Sequence, residues 1–236
     1  MKALRFTFIM IFILNINVYA QSFISPVGDF PPGKECKVVL VDGTEITGTF
    51  SSLFGSGGNI NSLTIKDEEG NKHKYKAIDI HRFYVKMGFL AKLDATAEAS
   101  SSLKEVFKTD FKEISKREYV IYEQALLPKK KDKYRLLQLV NPGFDSKIKV
   151  YHNPSGAESG GLGIGDLQLT GGEEKTYLVE IGDAKSILVK KKKYKNMIPE
   201  LYGDCPELIK ILGAEKIKFK NMAAHVYGYD QLCGSE

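Results

Sequence analysis

The residues best suited to chemistry are few and scattered. Cys205 stands just before a helical segment that opens with Pro206. A thiol at a helix N-terminus has a lowered pKa, and His225 is near enough in sequence to approach it as a base. Cys233 lies in the same C-terminal section, so a Cys205–Cys233 disulfide is the simpler account. That pairing predicts a structural staple instead of a nucleophile. Cys36, at the start of a strand, reads as a buried thiol. The four histidines, His73, His81, His152 and His225, share no metal-ligand spacing. Asp79 and His81 lie two apart on one strand face, which reads as a surface pair. Gly161 to Gly165 (GLGIG) is followed by a strand, whereas a phosphate-cradling loop needs a helix N-terminus. Asp67-Glu68-Glu69 and Glu173-Glu174 are acidic hairpin tips without the alternating oxygen ligands of a calcium loop. No Gly-x-Ser-x-Gly elbow occurs. The sequence therefore assigns no catalytic residue, no metal ligand and no cofactor.

Charge supplies the one candidate binding feature. The formal charge of +5 is mild, but it is unevenly placed. Residues 185–220 carry ten basic and four acidic side chains, whereas residues 21–184 are close to neutral. Lys190, Lys191, Lys192, Lys193 and Lys195 form the centre of this surplus. Such a run suits peripheral contact with an anionic surface, a polyanionic glycan or nucleic acid. The simpler reading is a solvated strand end followed by a helix start.

The first twenty residues argue against nucleic acid. Lys2 and Arg5 precede the apolar stretch Phe6–Leu14 (FTFIMIFIL), and a more polar segment ends in Val18-Tyr19-Ala20. This is the layout of a secretory signal peptide cleaved after Ala20. The apolar stretch is shorter than the roughly 20 residues of a bilayer span, and no later segment is long and apolar enough for one. The expected address is exported, periplasmic or extracellular, with no transmembrane segment after cleavage. The expected partner is an envelope protein or glycan.

A content of 43% hydrophobic and 27% charged residues is that of a folded protein, which excludes wholesale disorder. Three cysteines in 236 residues exclude a disulfide-dense mini-scaffold. After a Pro-rich lead, Lys37–Val41 reads as a strand, Asp42-Gly43 as a hairpin turn, and Thr44–Phe50 as the returning strand. Ile60–Lys66, Lys72–Lys76 and Ala77–Val85 complete five short strands, which fit a small, strongly bent barrel over residues 21–86. Leu103, Val106, Phe107, Phe111 and Ile114 follow helical spacing, so residues 87–117 read as a helical connector. Residues 118–192 hold six further candidate strands, Glu118–Leu127, Lys133–Val140, Lys147–His152, Asp166–Thr170, Lys175–Ile181 and Ser186–Lys191. Their short connections predict an antiparallel meander or sandwich. Residues 193–236 read as a helical tail, with Asp204 capping the helix that opens at Pro206. The fold class is mainly β, α+β overall.

Two resemblances accompany this reading. Leu40-Val41-Asp42-Gly43, followed by Ile46, Gly48 and Phe50, resembles the first half of an Sm-like or SH3-like small barrel. It implies the barrel and not RNA binding. His81-Arg82-Phe83 lacks the glycine that Sm-type RNA binders place beside their arginine, and Gly55–Asn59 lacks their Asp and Asn pair. The segments YGDCPEL, AAHVYGYDQLC and LTGGEEKTYLV resemble a family of exported Bacteroidota proteins of uncharacterised activity, which implies export and no particular reaction. With no titratable constellation, the expected function is that of a non-enzymatic binding or scaffold module. The alternative is a secreted hydrolase with a non-standard site.

Overall fold

The structure is a computed structural model describing residues 23–24, 26–27, 31–56, 59–86, 119–128, 133–156, 163–164, 167–168, 176–182 and 186–234. The expected signal peptide and helical connector lie outside the described residues. The first sheet contains β1 (Glu35–Leu40), β2 (Glu45–Ser56), β3 (Asn59–Lys66), β4 (Lys72–Lys76), β5 (Ile80–Lys86), β6 (Tyr119–Leu126) and β7 (Tyr134–Gln138). All its pairings are antiparallel. Six of these strands close into a barrel in the circuit β1–β2–β3–β7–β6–β5, and β4 lies along the rest of the β3 edge.

Asp42-Gly43 makes the β1–β2 turn, with Gly43 at φ +85° and the Asp42 carboxylate accepting from the Thr44 amide at 2.9 Å. Gly48 has no room for a side chain, because a Cβ there would lie 2.2 Å from the Lys66 carbonyl oxygen. Register shifts at Phe50/Ser52 and Phe54/Gly55 bend β2, as closing so small a barrel requires. Val38, Phe50, Leu63, Ile65, Phe83, Val85, Tyr122 and Leu136 fill the interior. Cys36 is buried with them as a free thiol.

The barrel has six strands where the sequence spacing predicts five. β6 and β7 join it, so the boundary expected at residue 118 does not separate two β units. The reason is edge satisfaction: without β6, the β5 edge would present a row of unpaired backbone groups. β6 pairs with it from Arg82–Glu123 to Lys86–Tyr119, and β7 returns to β3 through Ile60–Leu136.

The second sheet is antiparallel, in the order β12 (Ile187–Lys190), β11 (Thr176–Ile181), β8 (Ile148–His152). A two-residue pair, β9 (Gly163–Ile164) and β10 (Leu167–Gln168), stands between β8 and β11 in the chain. β9 falls within the segment that the sequence presents only as a glycine-rich loop. The end of β7 continues onto β8 through a Leu139–Tyr151 bridge and the bond from Val140 N to Val150 O (2.8 Å). Asn141 fixes the intervening loop: its amide donates to the Phe144 and Ile148 carbonyls, and its Oδ1 accepts from Val150 N. Ile24, in the N-terminal lead, donates its amide to Val140 O.

Strand alternation then separates three cores. On β6 and β7, Val120, Tyr122 and Leu136 face the barrel interior, while Ala125, Leu137 and Leu139 face outward. The outward set meets Tyr151, Leu178 and Leu188 from one face of the second sheet. The other face, with Ile148, Val150, Val179 and Val189, packs on the tail.

That tail contains 3-10 turns at Tyr194–Met197 and Phe219–Asn221, with α1 (Ile198–Tyr202), α2 (Pro206–Gly213) and α3 (Met222–Cys233). Asp204 does not cap α2. The cap position is Cys205, and Asp204 accepts the Tyr229 hydroxyl at 2.6 Å. No helix among the described residues is long and apolar enough to cross a membrane.

Candidate functional site

Cys205 and Cys233 form a disulfide, with a Cα–Cα distance of 5.9 Å, joining the start of α2 to the end of α3. His225 does not serve a thiolate. Its Nδ1 lies 2.6 Å from the Tyr194 hydroxyl, which is 3.1 Å from that of Tyr202. Burial lowers the His225 pKa to about 4 and raises those of both tyrosines, so the chain is neutral over a wide pH range. Among the described residues, the one grouping of three metal-ligand types is Cys205, Glu207 and Cys233, and the disulfide occupies both of its sulfurs. Asp79 and His81 are both exposed.

The interface between barrel and second sheet holds the more informative chemistry. Residues two apart on a strand share a face, so each strand can be followed along this interface. At one end lies Glu123 on β6, only 1% exposed. Arg82 from the neighbouring β5 pairs with it, Lys149 on β8 approaches at 3.2 Å, and the Tyr151 hydroxyl donates to it at 3.2 Å. Burial of that hydroxyl beside Glu180 and Glu123 raises its pKa. Asp145 adds a second carboxylate, 3.7 Å from Arg82. Cations and carboxylates are matched here, as burial demands. In the middle, Ala125, Leu137, Tyr151 and Leu178 form the apolar contact.

At the far end the layers part. Continuing the same strand faces leads to Leu127, Arg135, Asn153, Thr176 and Lys190, which line an open cleft of about 550 Å3. Asn59 and Asn61 enter from the start of β3, carried there by the closing contact of β3 with β7. Lys133 and Ser155 complete the polar rim, and Leu178 and Leu188 continue the apolar core into the floor. The volume falls within the roughly 300–1,000 Å3 of small-molecule sites.

Three features define the cleft chemically. It carries three cations, Lys133, Arg135 and Lys190, and no carboxylate, imidazole or thiol among its described lining residues. Arg135 uses one donor on the Tyr134 carbonyl at 2.6 Å, out of the five a guanidinium has. Asn61 Oδ1 is buried and accepts no hydrogen bond from the described residues. One wall is held by Asn153, whose amide donates to Thr176 Oγ1 at 2.8 Å. Gly156 is required beside that bond, since a Cβ there would lie 1.6 Å from Thr176 Oγ1.

The chain matches no family model, curated protein or solved structure. Its own geometry therefore carries the functional reading. Of the expected lysine patch, Lys190 lines the cleft, and Lys191, Lys192 and Lys193 follow on the exposed turn beyond β12. Lys195 is exposed on the next 3-10 turn and does not line the cleft. Sequence reasoning missed Arg135, Lys133 and the asparagines. Arg135 and Lys133 stand in a strand that reads as core, and no spacing links them to Asn61 or Lys190.

Proposed function

We propose that this is an exported binding module whose ligand occupies the cleft between barrel and second sheet. One observation carries the reading: cations and amides converge on a concave site whose described lining has no carboxylate, imidazole or thiol. Most hydrolytic sites are built on such a group or on a metal, so the described lining favours binding over the hydrolase alternative. The Cys205–Cys233 bond supports export, because disulfides persist in oxidising compartments.

The test is photo-crosslinking in the producing organism. One crosslinker is placed at Ser155, on the cleft rim, and one at the exposed Ile211 of α2 as a control. Adducts should form from Ser155 only and disappear when Arg135→Glu and Lys190→Glu are added. Equal yields at both positions, or none at Ser155, would refute a binding role for the cleft.

A further inference from the structure

We infer that the outer edge of β4 takes an extended acidic segment of a partner protein, added antiparallel as an eighth strand with a carboxylate at every second residue. This surface is separate from the cleft and does not depend on the reading above. The first observation is the phase of the edge. The β3–β4 turn closes with the Asp67 amide donating to the Asn71 carbonyl at 3.1 Å. Hydrogen-bonded pairs recur at every second position of an antiparallel ladder, so Ile65–His73 and Leu63–Tyr75 are the bonded pairs that follow. Lys72, Lys74 and Lys76 therefore turn their own N–H and C=O groups away from β3. Among the described residues β4 pairs with β3 alone. Its far side is a strand edge of the kind that templates another chain.

The second observation is the charge carried by the same three residues. Alternate strand residues share a face, so these lysines stand in one exposed row at a spacing of about 7 Å. Lys66 lies directly opposite Lys72 and adds a fourth cation. Like charges opposed in this way destabilise a sheet, and an anion beside them relieves that cost. Asp67, at the mouth of the turn, is engaged by Asn71 and His73. Glu68 and Glu69 sit in the turn itself, at the Lys72 end of the row, and Lys76 lies about 14 Å further along the strand. Lys74 rests its ammonium over the exposed Phe54 ring, 5.6 Å from the centre. Among the described residues none of the three edge lysines forms an ion pair.

Phase and charge thus fall on the same residues. A strand added antiparallel would set its own hydrogen-bonded residues opposite Lys72, Lys74 and Lys76, with Cβ atoms about 4.5–5.5 Å apart and side chains on the lysines' face. Backbone bonds then supply affinity, and alternating carboxylates supply specificity. Edge lysines also guard a sheet against indiscriminate pairing. Here the guard turns away neutral and basic strands and leaves an acidic one as the kind that gains by docking.

The experiment titrates the isotope-labelled full chain, disulfide intact, with blocked seven-residue peptides, read by amide NMR. The probe is Thr-Glu-Val-Glu-Val-Glu-Thr. The comparisons are the same residues with the glutamates in one block, the probe with lysine for each glutamate, and a short polyphosphate. The alternating acidic probe should bind at least about tenfold more tightly than the block-order peptide. It should slow hydrogen exchange at the Lys72, Lys74 and Lys76 amides and leave those of His73 and Tyr75, already bonded to β3, unchanged. Lys72→Glu combined with Lys76→Glu should abolish binding of the acidic probe, admit its lysine version and leave the thermal midpoint unchanged. Lys76→Gln alone should weaken the acidic probe. Equal affinity for the block-order peptide, or tighter binding of polyphosphate, would reveal a charge patch without strand addition and overturn the inference. Self-association of the chain through these amides would overturn it in favour of a second copy, and absence of peptide binding would overturn it outright. Crosslinking at Ser155 is untouched by any of these results, so the cleft reading stands or falls separately.

Discussion

His225 offers the best-defined test of the energetics. Its ring is 5% exposed, stacked at 10° on Tyr194, and bonded through Nδ1 to that tyrosine's hydroxyl. Burial holds its pKa at about 4 against an ordinary value of 6.5. A histidine whose folded pKa lies below its unfolded one takes up a proton on unfolding, so acid favours the unfolded chain. Its contribution is therefore intact above about pH 6.5 and declines as the pH falls toward about 4. The gap between the two values corresponds to a loss of about 3 kcal/mol over that window, a large share of a typical domain's stability.

The assay is urea unfolding of the oxidised protein at a series of pH values, run beside His225→Gln, whose amide can still bond Tyr194 and does not titrate. The wild type should be the more stable at neutral pH, with the difference shrinking steadily toward about pH 4. Surface pairs such as His73–Asp67, 2.7 Å apart, are the same in both proteins and cancel in the difference. Parallel pH curves for the two proteins, or an NMR titration of His225 with a midpoint near 6.5, would refute the reasoning.

Four further outcomes follow from the packing. Glu123→Leu strips the buried carboxylate from Arg82 and Lys149 and should destabilise by about 3 kcal/mol in denaturant unfolding, since both cations then face an apolar layer with their main counter-charge gone. Gly156→Ala should cost about 1–3 kcal/mol through steric displacement of Thr176, and Thr176→Ala added to it should restore part of the loss, as read by the thermal midpoint. Replacing Cys205 and Cys233 together by serine removes a bridge across 28 residues and should lower stability by about 3–4 kcal/mol, while Cys36 should resist alkylation until the chain unfolds, its thiol being buried and its pKa raised to about 12.

The local elements were largely legible in the sequence. Asp42-Gly43 marks its turn, most strands announce themselves by alternation and breakers, although β9 does not and the expected strand Ala77–Val85 opens with a 3-10 turn at Ala77–Asp79, and two cysteines in one helical section point to each other. Pairing across distance was not legible. β-propensity marks Tyr119–Leu126 as a strand, but nothing local says that it pairs with β5, more than thirty residues back, as well as with β7, which follows it. Nothing in the sequence singles out Glu123; its register opposite Arg82 and the approach of Lys149 and Tyr151 from the second sheet account for its burial. The cleft was invisible for the same reason, since its residues come from four strands and the segments beside them, and meet only when the barrel closes. At Asp204 a local capping preference lost to a tertiary bond with Tyr229.

The barrel's circuit also sets an order of events. The chain emerges N-terminus first, and after Lys86 the first five strands are all available, yet the ring cannot shut. Its last stave, β7, ends at Gln138, with the whole of residues 87–118 arriving in between. Until then β5 and part of β3 present open edges, the features most prone to mispairing with another chain. Those edges stay open during synthesis over more than fifty residues of further growth. A fragment ending near residue 86 would remain in that exposed condition permanently.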